Sequence, residues 1–170
     1  KKGSLDSVSA QFGGDSSYLS NGLIGYWKMD EASWSGATDE VKDSSGNSLH
    51  GTIQSPAATS IGKFGKAGSF DGSTSRVLVS DSTLLKPTSY VTVAGWFYPT
   101  DLTSTDQKIV QKAASIDESF SLNIYFNSWR FFIKDTSSTV CSAASPTAAS
   151  SGAWSFVVGV YDGKNVKLYV

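Results

Sequence analysis

The sequence predicts an all-β protein, an antiparallel β-sandwich made of two packed sheets. Short stretches in which every second residue is apolar follow one another along the chain, and turn-forming residues separate them. Nowhere does an apolar period of 3.6 residues persist for three helical turns. An aromatic content of 12% and 16 glycines also fit strands that are joined by tight turns.

The stretch Val91–Phe97 predicts a central strand, because both of its alternating faces are apolar or small and each is expected to be covered. A single helical turn is predicted at Ser82–Lys86, where Pro87 stops it. The small, polar stretch Ser142–Gly152 is interpreted as an exposed loop. The predicted strands are Leu23–Met29, Gly51–Gln54, Ala67–Phe70, Arg76–Val79, Tyr90–Tyr98, Lys108–Gln111, Phe120–Tyr125, Trp129–Ile133, Trp154–Tyr161 and Val166–Val170.

The length of 170 residues predicts one folded domain. Residues 1–21, which are rich in Ser, Gly and Asp, predict a flexible lead-in, and the sandwich is expected over residues 22–170. The formal net charge is -1, without the clustered Lys and Arg that a nucleic-acid partner requires. No apolar run approaches the roughly 20 residues that span a bilayer, so direct membrane insertion is not expected. Cys141 is the single cysteine, which excludes an internal disulfide.

Five segments together resemble the laminin-G-like, concanavalin A-like lectin-glucanase jelly-roll family. They follow in the expected order and together extend from Gly22 to Val170. The segments are Gly22–Glu31, Asp43–Gly51, Gly62–Gly72, Val91–Phe97 and Trp154–Val170. The resemblance implies a two-sheet jelly roll, a structural calcium ion and a place in a secreted or cell-surface protein.

Family members continue through further strands, so the resemblance also implies a C-terminally incomplete sandwich. The last strand of the family pairs beside the first, which leaves the predicted Leu23–Met29 strand with an open edge. An open edge is a template for pairing with another chain. We therefore hypothesise that a longer parent chain or a partner's strand completes this sheet.

Four residues are candidates for the calcium ion that the resemblance implies. Calcium takes about six to eight oxygen ligands, from carboxylates, amide carbonyls and backbone carbonyls. Turn geometry and capping also explain Asp and Asn at such places. The candidates, all at strand ends or in turns that contain glycine, are Asp30, Asp43, Asn47 and Asp71.

Aromatic side chains in loops and next to turns are candidates for carbohydrate binding, because a sugar ring stacks on an exposed aromatic ring beside polar groups that fix its hydroxyls. The candidates are Trp34, Tyr125, Trp129 and Arg130. Burial beneath a loop is the alternative for each aromatic residue among them. Trp27, Trp96 and Trp154 lie inside strand patterns and are predicted to be core residues.

The sequence does not predict an enzyme. Glycoside hydrolysis requires two carboxylates that flank one bond, whereas the adjacent pairs Asp30–Glu31, Asp39–Glu40 and Asp117–Glu118 point to opposite faces of a strand. His50, the single histidine, lies in a turn, and no other residue indicates a Ser-His-Asp arrangement with it.

Two functions are compatible with these sequence features. The first is a carbohydrate-binding module of an extracellular or cell-surface protein, with a glycan or glycoprotein as its target and calcium as its stabilising ion. The alternative is a structural or assembly domain of a larger surface protein or filament, in which neighbouring protein chains pair with the open sheet edge. The loop aromatics favour the first function, and the lead-in and the open edge favour the second.

Overall fold

The computed structural model describes residues 21–55, 57–114, 117–134 and 139–170. These residues belong to two compact units, one that ends at Ser80 and one that runs from Asp81 to Val170. Apart from Asn21, the predicted lead-in of residues 1–21 lies outside the described residues. The predicted sandwich boundary at residue 22 stays a prediction.

Within those ranges the chain forms eleven strands and one short 3-10 turn at Thr83–Leu85. No helix in the described part of the chain has the length and apolar character that crossing a membrane requires. The strands are β1 (Gly51–Gln54), β2 (Ala58–Ile61), β3 (Lys66–Ser69), β4 (Arg76–Val79), β5 (Val91–Phe97), β6 (Asp106–Ala114), β7 (Asp117–Tyr125), β8 (Ser128–Lys134), β9 (Val140–Ala148), β10 (Ser155–Tyr161) and β11 (Val166–Tyr169).

The unit that ends at Ser80 is built from two antiparallel strand pairs. β1 pairs with β4, and β2 pairs with β3. Isolated bridges join Trp27 to Asp43 and Val41 to Gly51, so the segment before β1 is tied to this framework. Val41 is fully buried beside Gly51, which shows that the bridge also closes a small apolar contact.

The carboxylate of Asp43 organises the turn that follows the Trp27 bridge. Its oxygens accept hydrogen bonds from the backbone N–H groups of Tyr26 (2.9 Å), Ser45 (2.9 Å) and Leu49 (3.0 Å). Burial acts to raise the pKa of Asp43, but these hydrogen bonds outweigh burial and lower the pKa below its ordinary value. The ionised carboxylate is therefore the form that the folded turn stabilises.

The unit from Asp81 to Val170 is a sandwich of two antiparallel sheets. One sheet has the strand order β6-β7-β8-β9, and the other has the order β11-β10-β5. β10 packs on β8, and β11 packs on β8 and β9, so the two sheets face each other. The apolar side chains between them form the core of this unit.

The core consists of side chains that alternate along β7, β8 and β10. Leu122, Ile124, Trp129, Phe131 and Val157 are each at most 1% exposed and belong to one cluster. Burial of such a side chain contributes about 1.5–3 kcal/mol relative to exposure. This cluster is consequently the main favourable contribution to holding the two sheets together.

β10 passes close to the aromatic side chains of β8 at a glycine. A Cβ atom at Gly159 would lie 2.3 Å from Cγ of Phe131, nearer than two carbon atoms can approach. Gly159 is buried and its φ does not require glycine. The absent side chain is therefore what lets the Phe131 ring lie against β10.

The prediction of an all-β, antiparallel two-sheet sandwich is confirmed. β1 and β4 have the predicted bounds, and most of the other predicted strands differ from the observed ones only at their ends. The 3-10 turn lies inside the predicted helical turn at Ser82–Lys86, and the Ser82 side chain caps it by accepting a hydrogen bond from Leu84 N.

The predicted strand Leu23–Met29 is wrong, because only Trp27 in it forms a bridge, with Asp43. Side chains, and not a neighbouring strand, donate hydrogen bonds to some of the backbone carbonyl groups of residues 23–29. The Ser45 hydroxyl and the Asn47 amide donate hydrogen bonds to carbonyl groups at the start of this segment. The open edge that the assembly hypothesis requires is therefore not present as a strand in this segment.

The predicted loop Ser142–Gly152 is also wrong over most of its length, since residues 140–148 form β9. β9 lies at the end of the four-stranded sheet and pairs with β8. A proline such as Pro146 is tolerated in an edge strand because one side of that strand has no ladder to complete. This strand was not predicted because its residues are mostly small and polar and do not show an alternation of apolar side chains.

β5 was predicted to be a central strand with both faces covered, and this is wrong. It lies at one end of the order β11-β10-β5 among the described strands. Its inward residues Val91, Val93 and Phe97 contact the core cluster, whereas Thr92 and Ala94 on the other face are exposed. An apolar composition on both faces thus does not establish that both faces are covered.

Gly159→Ala is expected to lower the free energy of unfolding by about 1–3 kcal/mol, because the added methyl group overlaps the Phe131 ring. The same change in a Phe131→Leu background is expected to cost much less, since the ring that it meets is gone. Chemical denaturation of the four proteins in this cycle measures the coupling. An equal cost in both backgrounds would contradict the close contact.

Asp43→Ala is expected to lower the free energy of unfolding at pH 7 by about 2–4 kcal/mol, because three backbone N–H groups lose their acceptor. Since the folded pKa is lowered, this stabilisation is present above the ordinary aspartate pKa of about 3.9 and is lost as the pH falls through the folded value. Urea unfolding at pH 7 and at pH 3 measures both effects. Ser44→Ala, an exposed position in the same turn, is the control, and equal stability of the two variants at pH 7 would contradict this role of Asp43.

Candidate functional site

The face of the four-stranded sheet that points away from the core combines polar and aromatic side chains. Because Leu122 and Ile124 of β7 face the core, the residues between them face the other way, and the strand register carries this face onto β6 and β8. We call this surface the outer face. It contains Asp106, Lys108, Ser121, Asn123, Tyr125, Ser128, Arg130 and Phe132.

Two of the four predicted ligand-binding residues meet on the outer face. The guanidinium carbon of Arg130 lies 3.9 Å from the centre of the Tyr125 ring and 5.1 Å from that of Phe132. The Phe126 ring approaches Tyr125 edge-on, with 4.6 Å between ring centres. Tyr125 remains 38% exposed in this arrangement, so a ligand can reach its ring.

A chain of hydrogen bonds beneath these side chains fixes the position of Arg130. Nε of Arg130 donates to Oδ1 of Asn123 at 3.3 Å, and Nδ2 of Asn123 donates to Oδ1 of Asp106. The other oxygen of Asp106 forms an ion pair with Lys108 at 3.1 Å. Asn123 is fully buried, and a buried amide with both ends bonded restricts how the guanidinium can turn.

The hydroxyl of Ser121 is a further polar atom on the same face of β7. It is fully buried and has no hydrogen-bond partner among the residues that the structure describes. A buried hydroxyl without a partner costs about 1–3 kcal/mol, which is uncommon in folded proteins. The hydrogen-bonding capacity of this hydroxyl is therefore unused within the described part of the chain.

Sequence reasoning missed Asp106, Asn123 and Phe126 as members of this site. A signal was present, because residues 121, 123 and 125 of the strand are Ser, Asn and Tyr, with apolar residues between them. Such alternation indicates a strand with one polar face. No pattern in the sequence around Asp106 predicts that it belongs to the site, because only the pairing of β6 with β7 places it there.

Trp34, another predicted ligand-binding residue, belongs to the unit that ends at Ser80. Its indole Nε1 donates to Glu31 at 3.0 Å, and its ring lies 6.2 Å from that of Phe70. A Cβ atom at Gly68 would meet this ring at 2.7 Å. Trp34 thus packs on the β2–β3 pair and is partly buried, which is the alternative that the sequence left open.

The prediction that Trp129 stacks on a ligand is corrected by its burial. Trp129 is 1% exposed, and its ring packs against Phe97 with 5.9 Å between ring centres. It directly precedes Arg130 on β8 and so points to the opposite face of the sheet. A core tryptophan of this kind supports the site from behind and cannot contact a ligand on the outer face.

Trp96, which was predicted to be a core residue, is exposed instead. Its exposed fraction is 40%, and its ring lies 5.3 Å from that of Phe156 on the neighbouring strand β10. Trp27 and Trp154 are partly buried. The face of β5 that carries Trp96 is thus an exposed aromatic surface rather than a core contact.

The four candidate calcium ligands all belong to the unit that ends at Ser80, but they do not all share one turn. Asp43 and Asn47 share one turn, in which Asn47 donates to the carbonyl groups of Leu23 and Ile24. Asp30 is exposed just after the left-handed residue Met29.

Asp71 lies in a different turn. Its oxygens accept hydrogen bonds from the backbone N–H groups of Ser73, Thr74 and Ser75 and from two hydroxyl groups. The backbone N–H of Ser75 and then that of Ser73 are the largest causes that hold the pKa of Asp71 well below its usual range. The carboxylate of Asp71 therefore accepts hydrogen bonds that stabilise the turn in which it lies.

Calcium would need these oxygens to converge and to be available as ligands. In the described ranges, no group of three or more His, Cys, Asp or Glu side chains is placed to hold a metal ion. The four candidates do not fit one calcium ion in this arrangement, because hydrogen bonds within two separate turns occupy Asp43 and Asp71. Calcium therefore stays a prediction of the resemblance.

Residues 71–170, more than half of the chain, match a laminin-G family model described as the concanavalin A-like lectin/glucanases superfamily. The match includes the whole sandwich unit and the outer face. Residues 22–70, over which the sequence also resembles the family, lie outside the matched range. No significant match is found among curated proteins. On the family match and the two-sheet fold, the chain belongs to the concanavalin A-like lectin/glucanases superfamily.

Proposed function

We propose that this protein is a non-catalytic module that binds a glycan or the glycan of a glycoprotein on its outer face, in an extracellular or cell-surface protein. The observation that carries this proposal is the stack of Arg130 on the half-exposed Tyr125 ring, held from below by the buried Asn123. Membership of a superfamily of lectins and glucanases supports a carbohydrate as the ligand.

The chemistry of the face suits a sugar ring. An aromatic ring offers an apolar surface to the C–H groups of a pyranose, and polar side chains around it can bond the hydroxyl groups. Tyr125 supplies the ring, while Arg130 and Ser128 are polar groups next to it. Binding sites of this kind combine apolar contact area with a few polar groups in fixed positions.

The same face does not offer what glycoside hydrolysis needs. Asp106 already pairs with Lys108 and accepts from Asn123. Hydrolysis requires a second carboxylate roughly 5–9.5 Å away, and the described side chains of the outer face include none besides Asp106. A binding role without catalysis is therefore the better account of this arrangement.

Tyr125→Ala is expected to weaken glycan binding about tenfold or more, because aromatic contacts contribute roughly 0.5–1.5 kcal/mol beyond their area. A glycan array identifies the bound sugars, and titration with one of them measures the affinity. Tyr169→Ala, which removes an exposed tyrosine from β11, is the matched control and is expected to bind normally.

Unchanged binding by Tyr125→Ala would contradict this site while leaving glycan binding intact. An intact protein that binds no glycan and associates with itself instead would contradict the proposal and support the structural or assembly role. The melting temperature of each variant is compared with that of the unmodified protein, so that a loss of binding can be distinguished from a loss of folding.

The hydrogen bonds around Asp43 lead to a definite expectation for calcium. Because these bonds already use the carboxylate, the melting temperature is expected to be the same in millimolar CaCl2 and in EDTA. A bound ion would instead raise the melting temperature by mass action. A rise that Asp43→Asn abolishes would contradict this expectation and establish the structural calcium that the resemblance implies.

A further inference from the structure

Arg130 has no ion-pair partner among the residues that the structure describes. Its neighbours are the aromatic rings of Tyr125 and Phe132 and the neutral amide of Asn123. The acid on the same face, Asp106, is paired with Lys108. The outer face therefore presents a positive group whose charge no described carboxylate balances.

The donors of Arg130 that remain available point to a particular ligand chemistry. Nε is used by Asn123, while the terminal NH2 groups have no described hydrogen-bond partner in the protein. A guanidinium group matches the two oxygens of a carboxylate or sulfate with two parallel hydrogen bonds. The stack on Tyr125 and the bond to Asn123 fix the plane of the group before a ligand arrives.

Burial strengthens this interaction. Arg130 is partly buried, and the amide to which it is bonded is fully buried. Charge-assisted hydrogen bonds are stronger where water screens them less, and a side chain that is already held in place loses little freedom on binding. The ring of Tyr125 lies beside the guanidinium, so one ligand can contact both.

We propose that the outer face binds an acidic glycan, in which Arg130 binds a carboxylate or sulfate through its terminal NH2 groups. This inference rests on the proposed function, because Tyr125 is the platform for the sugar ring that carries the anionic group. Carboxylate and sulfate share the chemistry that Arg130 recognises, and matched ligands distinguish between them.

The test is titration with two ligand pairs that differ only in charge. One pair is an oligogalacturonate and its carboxyl-reduced form, and the other is keratan sulfate and its desulfated form, which carries no carboxylate. The acidic member of at least one pair is expected to bind about tenfold tighter or more, and added salt is expected to reduce this preference.

Arg130→Gln is expected to weaken binding of the acidic ligand much more than binding of its neutral counterpart, so that the preference for the acidic ligand is lost. Arg130→Lys keeps the charge but lacks the planar pair of donors, so it is expected to retain only part of the preference. The matched control is Arg76→Gln, which neutralises the exposed arginine of β4 and is expected to change neither affinity.

The outcomes separate this inference from the function on which it rests. Equal binding of acidic and neutral ligands, weakened in both cases by Tyr125→Ala, would overturn the acidic preference and leave glycan binding in place. Loss of the preference in Arg76→Gln as much as in Arg130→Gln would also overturn it. If Arg130→Gln lowers the melting temperature, ligand binding by Arg130→Lys is measured instead. An undiminished preference of Arg130→Lys for the acidic ligand would overturn recognition by the planar guanidinium.

Discussion

The contact between β8 and β10 is the constraint on which the rest of the sandwich unit depends. Phe131 of β8 fills the space that Gly159 of β10 leaves open. Trp129 of β8 packs against Phe97 of β5, the strand that pairs with β10. These rings bury large areas, and a dry aromatic contact tolerates little displacement. Side chains of β8, together with those of β7, therefore fix the two sheets against each other.

The same contact determines where the candidate site lies. Since Trp129 and Phe131 point inward, Arg130 between them must point outward, where the pairing of β8 with β7 places it beside Asn123 and Tyr125. A register slip of one residue would exchange the core and the site. The energy that stabilises the fold thus also maintains the geometry of the outer face.

Local sequence patterns predicted the fold class and most strands but not which side chains are exposed. Trp129 follows a turn and was a candidate for ligand contact, whereas Trp96 lies in an apolar run and was expected to be buried. In the structure Trp129 is buried and Trp96 is exposed. Exposure depends on which sheet covers a strand, and pairing between distant segments decides that. For the same reason Tyr125 and Arg130 were identified singly, while Asp106, 24 positions before Arg130 by residue number (130 minus 106), was not.

The described carboxylates of the unit from Asp81 to Val170 are engaged by neighbouring groups. Asp106 pairs with Lys108, and Asp81 forms ion pairs with Lys112 and Lys86 at 2.5 Å each, which lower its pKa to about 2. No described carboxylate of this unit pairs with Arg130. A partly buried guanidinium among aromatic rings gives up hydration without gaining a counter-charge, which costs free energy. An anionic ligand of the kind proposed would supply that counter-charge and would also contact the exposed tyrosine beside Arg130.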